Sequence, residues 1–402
     1  MIAIQAGRIL TPLESVAPGV ILIEGETIVA VGHPTEVLLP AGIIVRDFTD
    51  KVVVPGFVDT HTHGRDGCYF GEDKETTARL CRSIVSTGVT SVLPTLASLL
   101  PVHYTLEMIL ECIRTIRQVM VQNVGGAEIL GIHMEGPFLS SADTARGSQL
   151  VANLRQPSVK ELQQMEKAAE GTIRKMSIAP ELDGALDVIR EMIKLNIVPC
   201  AGHSTATYEQ AMEAVQAGLC CGTHVFNGMI PFHHRRPGLL GAVLTCDEIN
   251  AELIADGQHV SAAAMKLLLR CKGVDGVHLI TDNTIWAGMA NGTYQDGERT
   301  IVKEDSRAYV LGGTLVGSVA PMNRCVGNMV RSVGCSLGKA VRMASLNPAV
   351  VVGVDDHKGS LEPGKDADLV VVDEEVEVYM TMVKGQEVYQ ANRTASQDAA
   401  CC

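Results

Sequence analysis

The chain has 402 residues, 33 basic and 46 acidic, giving a formal net charge of −13. That length exceeds a small single core and suits one barrel plus an accessory domain. The acidic balance argues against a nucleic-acid surface but leaves room for a local basic patch that binds a small anion.

Aromatic residues make up only 3%, so the core must be built from Val, Leu, Ile, Ala and Met. The N-terminus shows no basic stretch followed by an apolar one, and no apolar run is long enough to span a bilayer. The first fifty residues read as short strands. Ile2, Ile4 and Ile9 sit among small residues, 20–23 is apolar, Glu24-Gly25-Glu26 turns, and 28–31 resumes. The C-terminal stretch repeats this pattern over 367–372 and 376–383, with a turn at Lys384-Gly385. These two ends, 1–51 and 346–390, are expected to pair into a small β-sandwich, with 391–402 a disordered tail.

Between them, apolar runs alternate with helical spacing. Eight strands are expected at 52–58, 89–95, 129–134, 176–180, 197–202, 219–225, 251–255 and 277–281. Helices are expected at 75–86, 106–120, 159–169, 185–195, 208–217 and 262–270. Such alternation means parallel βαβ units, and eight of them over 52–345 predict an α/β fold, a (β/α)8 TIM-like barrel. An open doubly wound sheet would gather ligands at one switch point, whereas here five strands end on metal-ligand residue types. The twelve cysteines are scattered, several of them inside apolar runs (Cys200, Cys220, Cys221), and Cys220-Cys221 and Cys401-Cys402 are adjacent pairs. Reduced thiols in a cytoplasmic protein are expected.

The five endings are Asp59-Thr60-His61-Thr62-His63, Glu135, His203, His224 and Asp282. A parallel barrel brings such ends to one mouth. His61 and His63 are two apart, so both side chains can point the same way. An ionised Glu135 after a buried strand is costly unless paired or metal-bound. His203 and His224 each follow a buried strand and offer neutral imidazoles. His203 or His224 alone reads as a satisfied core histidine, and the His61-Thr62-His63 spacing alone as two polar loop histidines. Together Glu135, His203 and His224 give three protein ligands and an open position, the pattern of a catalytic site rather than a closed structural one. Asp282 can take a proton from water and return it to a leaving amine, or act as a further ligand.

The segment 55–64, Pro-Gly-Phe-Val-Asp-Thr-His-Thr-His-Gly, resembles the opening signature of the amidohydrolase superfamily. So do His133-Met134-Glu135-Gly136-Pro137-Phe138, Ala201-Gly202-His203-Ser204, Thr223-His224-Val225-Phe226-Asn227-Gly228-Met229, Asp256-Gly257-Gln258-His259, Thr281-Asp282 and the closing 344–349 and 359–368, which are similar to its amino-sugar-phosphate deacetylases. The resemblance covers nearly the whole chain. It implies hydrolysis of the acetamide of N-acetyl-D-glucosamine 6-phosphate, with N-acetylgalactosamine 6-phosphate or another N-acyl compound as the alternative substrate and an inactive scaffold as the remote one. It implies a divalent metal (Zn, Fe, Mn or Co), one or two per subunit, on Glu135, His203 and His224 and on His61 and His63. Asp282 would be general base and then acid. No lysine follows the fourth strand in Ala179-Pro180-Glu181, so Glu135 is the bridging candidate. Substrate contacts are implied at Ser148, Gln149, Asn227, Gly228, His259, Leu311, Gly312 and Gly313. Arg235 would bind phosphate across a homodimer interface; neither nucleic acid nor membrane is a partner. Arg236, Asn283, Trp286 and Gln149 depart from the family pattern, Gln149 standing where histidine is common.

Overall fold

The structure is a computed structural model that describes residues 1–11, 14–97 and 104–391. The expected tail beyond 391 lies outside the described residues. The barrel strands are β1 (Phe57–Thr62), β2 (Val89–Ala97), β3 (Ile132–Glu135), β4 (Ile173–Ile178), β5 (Val198–Ala201), β6 (Cys221–Gly222), β7 (Asn250–Ile254) and β8 (Val277–Ile280). Each pairs in parallel with the next, from β1 through to β8. Between β8 and β1 the ring is stitched beyond the strand end. Asp282 N–H donates to the His61 carbonyl at 2.8 Å and His63 N–H to the Asn283 carbonyl at 2.7 Å. The buried Asp59 carboxylate reinforces that seam, accepting from Thr281 Oγ1 at 2.6 Å and from Thr281 N–H at 3.2 Å.

Helices Lys74–Ile84, Leu106–Met120, Val159–Ala169, Ala185–Lys194, Tyr208–Ala217 and Ala262–Lys272 separate successive strands, at the positions that spacing predicts. Side chains of Asp73, Thr105, Ser158, Thr207 and Ser261 accept from free first-turn N–H groups, which fixes where five of these helices begin. Their apolar faces and the strands share one core, built mainly from Val, Leu, Ile, Ala and Met.

The two chain ends do meet, and hydrogen bonding makes them one continuous mixed sheet. Its order is Gln386–Gln390, Val378–Val383, Leu369–Val372, Ile44–Pro55, Ile2–Leu10, Gly19–Glu24 and Thr27–Gly32. Ile4, Ile21, Val53, Val371 and Met380 from both ends form its core. The run expected as a single strand at 52–58 is divided. Residues up to Pro55 pair with Leu369–Val372, and the barrel strand starts only at Phe57. Gly56 marks the division because a Cβ there would lie 2.1 Å from Thr90 Oγ1. A second departure follows β8, where Gly292–Asp296, Arg299–Glu304 and Arg307–Val310 form an antiparallel sheet that the alternating pattern does not foreshadow. Trp286 is buried in the small core beneath it with Ile301, Ala308 and Val316, which is where that departure from the family pattern resides.

Candidate active site

The side chains of His61, His63, Glu135, His203, His224 and Asp282 converge at the carboxyl end of the barrel. His203, His224 and Asp282 occupy the left-handed backbone region, with φ of 48°, 28° and 49°. That conformation costs non-glycine residues on the order of 1–3 kcal/mol each and is typical of functional sites. Gly228 belongs to the same design: its φ is 60°, and a Cβ would lie 2.8 Å from His203 Nδ1.

Hydrogen bonds fix the imidazole orientations. His203 Nδ1–H donates to the Ala145 carbonyl at 2.8 Å and His224 Nδ1–H to the Asn227 carbonyl at 3.1 Å. Because carbonyls only accept, the Nε2 atoms are left to face the site. They lie 3.0 Å from each other, and 3.2 and 3.0 Å from Glu135 Oε1. His61 Nε2 approaches the same oxygen at 3.4 Å and has no hydrogen-bond partner, while His63 Nε2 lies 3.6 Å from Glu135 Oε2. The donor atoms form two groups, His61-His63-Glu135 and Glu135-His203-His224, each within 4.8 Å and sharing Glu135.

Donor chemistry and charge both fit a divalent cation. Imidazoles pinned through Nδ1 with Nε2 turned inward have the outer-shell arrangement usual for metal-ligating histidine. Glu135, Asp282 and Glu252 are buried here with the ammonium of Lys175 and the ring of His61, so even with that ring protonated three carboxylates against two cations leave a negative charge. Burial opposes a charge on His61, but Asp282, Glu252 and Glu135 outweigh it and raise its pKa to about 10. Burial likewise works against the Asp282 charge, yet His61 and His63 hold that carboxyl below its ordinary value. Asp282 is therefore ionised at neutral pH, as a proton acceptor must be. Its Oδ1 accepts from His63 Nε2 at 3.0 Å.

A cavity of about 400 Å³ opens over these groups. Ser148, Gln149, Asn227, Gly228 and His259 line it, as do Thr144, Phe226 and Met229. Gln149 is buried, and its amide donates to Glu135 Oε2 at 2.8 Å. His259 Nδ1 pairs with Asp256 Oδ2 at 2.7 Å; burial opposes its charge but Asp256 raises its pKa above the ordinary value, suiting it to face an anion.

Four of the residues implied as substrate contacts lie outside this cavity. Leu311, Gly312 and Gly313 lie outside the cavity, which is lined instead by Thr314, Leu315 and Gly317. The reason is a tight turn, closed by Gly313 N–H to the Val310 carbonyl at 2.8 Å, that leaves Leu311 64% exposed. Arg235 is also outside it, exposed beside a separate hollow of about 380 Å³ with Tyr208 and His233. Glu252 and Lys175 belong to the site although no motif carries them. In sequence Lys175 stands beside Arg174 and Glu252 two residues after Asn250, so neither charge is set apart from its neighbours.

A model described as the amidohydrolase family matches residues 52–388. The chain is 37% identical over 361 residues to N-acetylglucosamine-6-phosphate deacetylase of Bos taurus, covering 86% of this chain and 85% of that protein. It is 35% identical over 349 residues to N-acetylgalactosamine-6-phosphate deacetylase of Escherichia coli O157:H7, covering 87% and 90%. Among solved structures it is similar to an aspartate-to-alanine mutant of N-acetyl-D-glucosamine-6-phosphate deacetylase from Mycobacterium smegmatis in complex with N-acetyl-D-glucosamine 6-phosphate. That similarity has a TM-score of 0.87 and 34% identity, covering 97% of this chain and 99% of the other.

Proposed function

This chain belongs to the amidohydrolase family, and we propose that it hydrolyses the acetamide of N-acetyl-D-glucosamine 6-phosphate to glucosamine 6-phosphate and acetate. The observation that carries the reading is the pair of overlapping donor groups at the floor of a cavity that also holds His259. Relatives with this activity span most of the chain and support the substrate class.

In this reading Glu135, His203 and His224 hold one divalent ion, and His61 and His63 with Glu135 are placed to hold a second. Such an ion supplies Lewis acidity, lowering the pKa of water towards about 7 and drawing charge from the acyl oxygen. The chain's own residues do the rest. Asp282 accepts the proton of the attacking water at its carboxylate and returns it to the departing nitrogen, so that the amine leaves neutral. Gln149 holds Glu135 in place through its amide. One of its two amide N–H donors is therefore engaged with Glu135.

The phosphate is bound by His259, with Asn227 and Gly228 orienting the sugar. Arg235 lies outside the cavity of its own protomer, and we assign it to the neighbouring site of a homodimer, where its guanidinium matches phosphate geometry. Binding the phosphate far from the reacting bond would hold the amide over Asp282, so its loss should reduce turnover as well as affinity. Among the described residues no helix is long and apolar enough to cross a membrane. The ten described cysteines form no disulfides, which supports a cytoplasmic location.

The galactosamine relative makes the sugar epimer the open choice. Parallel assays of amine release from N-acetylglucosamine 6-phosphate and N-acetylgalactosamine 6-phosphate decide it. A higher kcat/KM for the first supports the assignment, and the reverse order replaces it with the galacto epimer.

A further inference from the structure

Beneath the donor groups the barrel interior is unusually polar. Barrel interiors are usually filled by branched aliphatic side chains. Here β4 contributes Lys175 and β7 contributes Glu252, both fully buried. Lys175 Nζ is paired closely with Glu252 Oε1 and also donates to Thr60 Oγ1 at 3.2 Å. The other oxygen, Glu252 Oε2, accepts twice: from His61 Nδ1–H at 3.1 Å and from the backbone N–H of His224 at 3.1 Å. One carboxylate therefore touches two of the residues assigned above to metal binding, one from each donor group. His278, whose Nε2 lies 3.8 Å from Glu252 Oε1, and His133, whose ring lies 4.5 Å from that of His61, are the other buried imidazoles here.

We propose that Glu252, backed by Lys175, is a positioning residue that sets the orientation and donor strength of His61 and His224 and thereby the affinity of the site for a divalent ion. The inference rests on the metal reading given under Proposed function. A carboxylate accepting from Nδ1–H fixes the tautomer in which Nε2 carries the lone pair, and it makes the ring a stronger donor. The backbone contact acts on His224 where its φ is 28°, a conformation that needs outside support. Stability alone is a poor reason to keep this pair, because desolvation offsets the attraction of fully buried charges and apolar replacements are often neutral.

The test uses the full chain, metal-stripped, as wild type, Glu252→Gln, and the double variant Lys175→Met/Glu252→Gln. Zn²⁺ affinity is measured by competition with a chelator of known affinity, and the thermal midpoint is measured without metal. Glu252→Gln is expected to weaken Zn²⁺ binding by about 10–100-fold. The double variant, which removes both charges together, is expected to return the midpoint towards wild type while Zn²⁺ affinity stays low by the same factor. It carries the test by itself if the single variant does not fold. Recovery of both properties in the double variant, or unchanged affinity in a folded variant, would make the pair merely structural and overturn the proposal. Absence of Zn²⁺ binding by the wild type would instead overturn the metal reading, and this inference with it.

Discussion

His203 Nε2 and His224 Nε2 lie 3.0 Å apart, each ring held from behind by a backbone carbonyl. Neutral rings in this arrangement turn two lone pairs towards one point beside the Glu135 carboxylate, and a cation reconciles all three. Adding Zn²⁺ or Co²⁺ to stripped protein should therefore raise its thermal midpoint. Free metal at a hundred times its Kd stabilises by about 2.7 kcal/mol. His224→Ala should abolish most of that shift, which differential scanning calorimetry reads directly.

Asp282 is proposed to move protons while the neighbouring groups hold the ion. Asp282→Asn should leave metal content unchanged and lower kcat by about 10²–10⁴-fold, the usual weight of general acid–base catalysis. Loss of metal from that variant, measured by elemental analysis, would make Asp282 chiefly a ligand.

Arg235 is placed outside its own cavity, so its loss should be complemented in trans. Arg235→Ala and Asp282→Asn homodimers should each be nearly inactive on the phosphorylated sugar. Mixed dimers should regain activity, because one of their two sites combines an intact Asp282 with a neighbour's intact Arg235. Activity that does not return on subunit exchange would place Arg235 outside the phosphate site.

Glu166 offers a test away from the chemistry. It lies in helix Val159–Ala169 with Oε2 lacking a partner, and burial pushes its carboxyl up to about 7 from an ordinary 4.5. The folded chain holds this proton more tightly than the unfolded one between those values. Glu166 therefore costs stability progressively as pH rises from 4.5 to 7, and by a constant amount above 7. Glu166→Gln should stabilise the protein at pH 8 by about 1–2 kcal/mol, a figure reduced for partial solvent screening, with the gain vanishing near pH 4.5. Urea titrations at the two pH values measure it.

Much of this was legible because the relevant residues obey local rules. Apolar runs that end on His61, Glu135, His203, His224 and Asp282 announce strands whose ends carry ligand types, and parallel topology does the converging. What sequence spacing does not show depends on contacts between distant segments. The division at Gly56 is set by Thr90 on the next strand. Glu252 and Lys175 look like ordinary charges until the barrel closes and brings both against His61 and Thr60. The exchange of Leu311–Gly313 for Thr314, Leu315 and Gly317 at the cavity wall follows from a turn whose direction no residue pattern specifies. The antiparallel sheet after β8 was hidden for another reason: its strands are short and largely polar, and they bury side chains against Trp286 rather than in the main core.

The most direct test of the central claim is acetate release from N-acetylglucosamine 6-phosphate by chelator-treated protein, before and after addition of a defined divalent metal, with unphosphorylated N-acetylglucosamine run alongside. Turnover that returns with metal and strongly favours the phosphorylated sugar is the predicted result. Turnover that persists in chelator, or none of either sugar with metal bound, would contradict it.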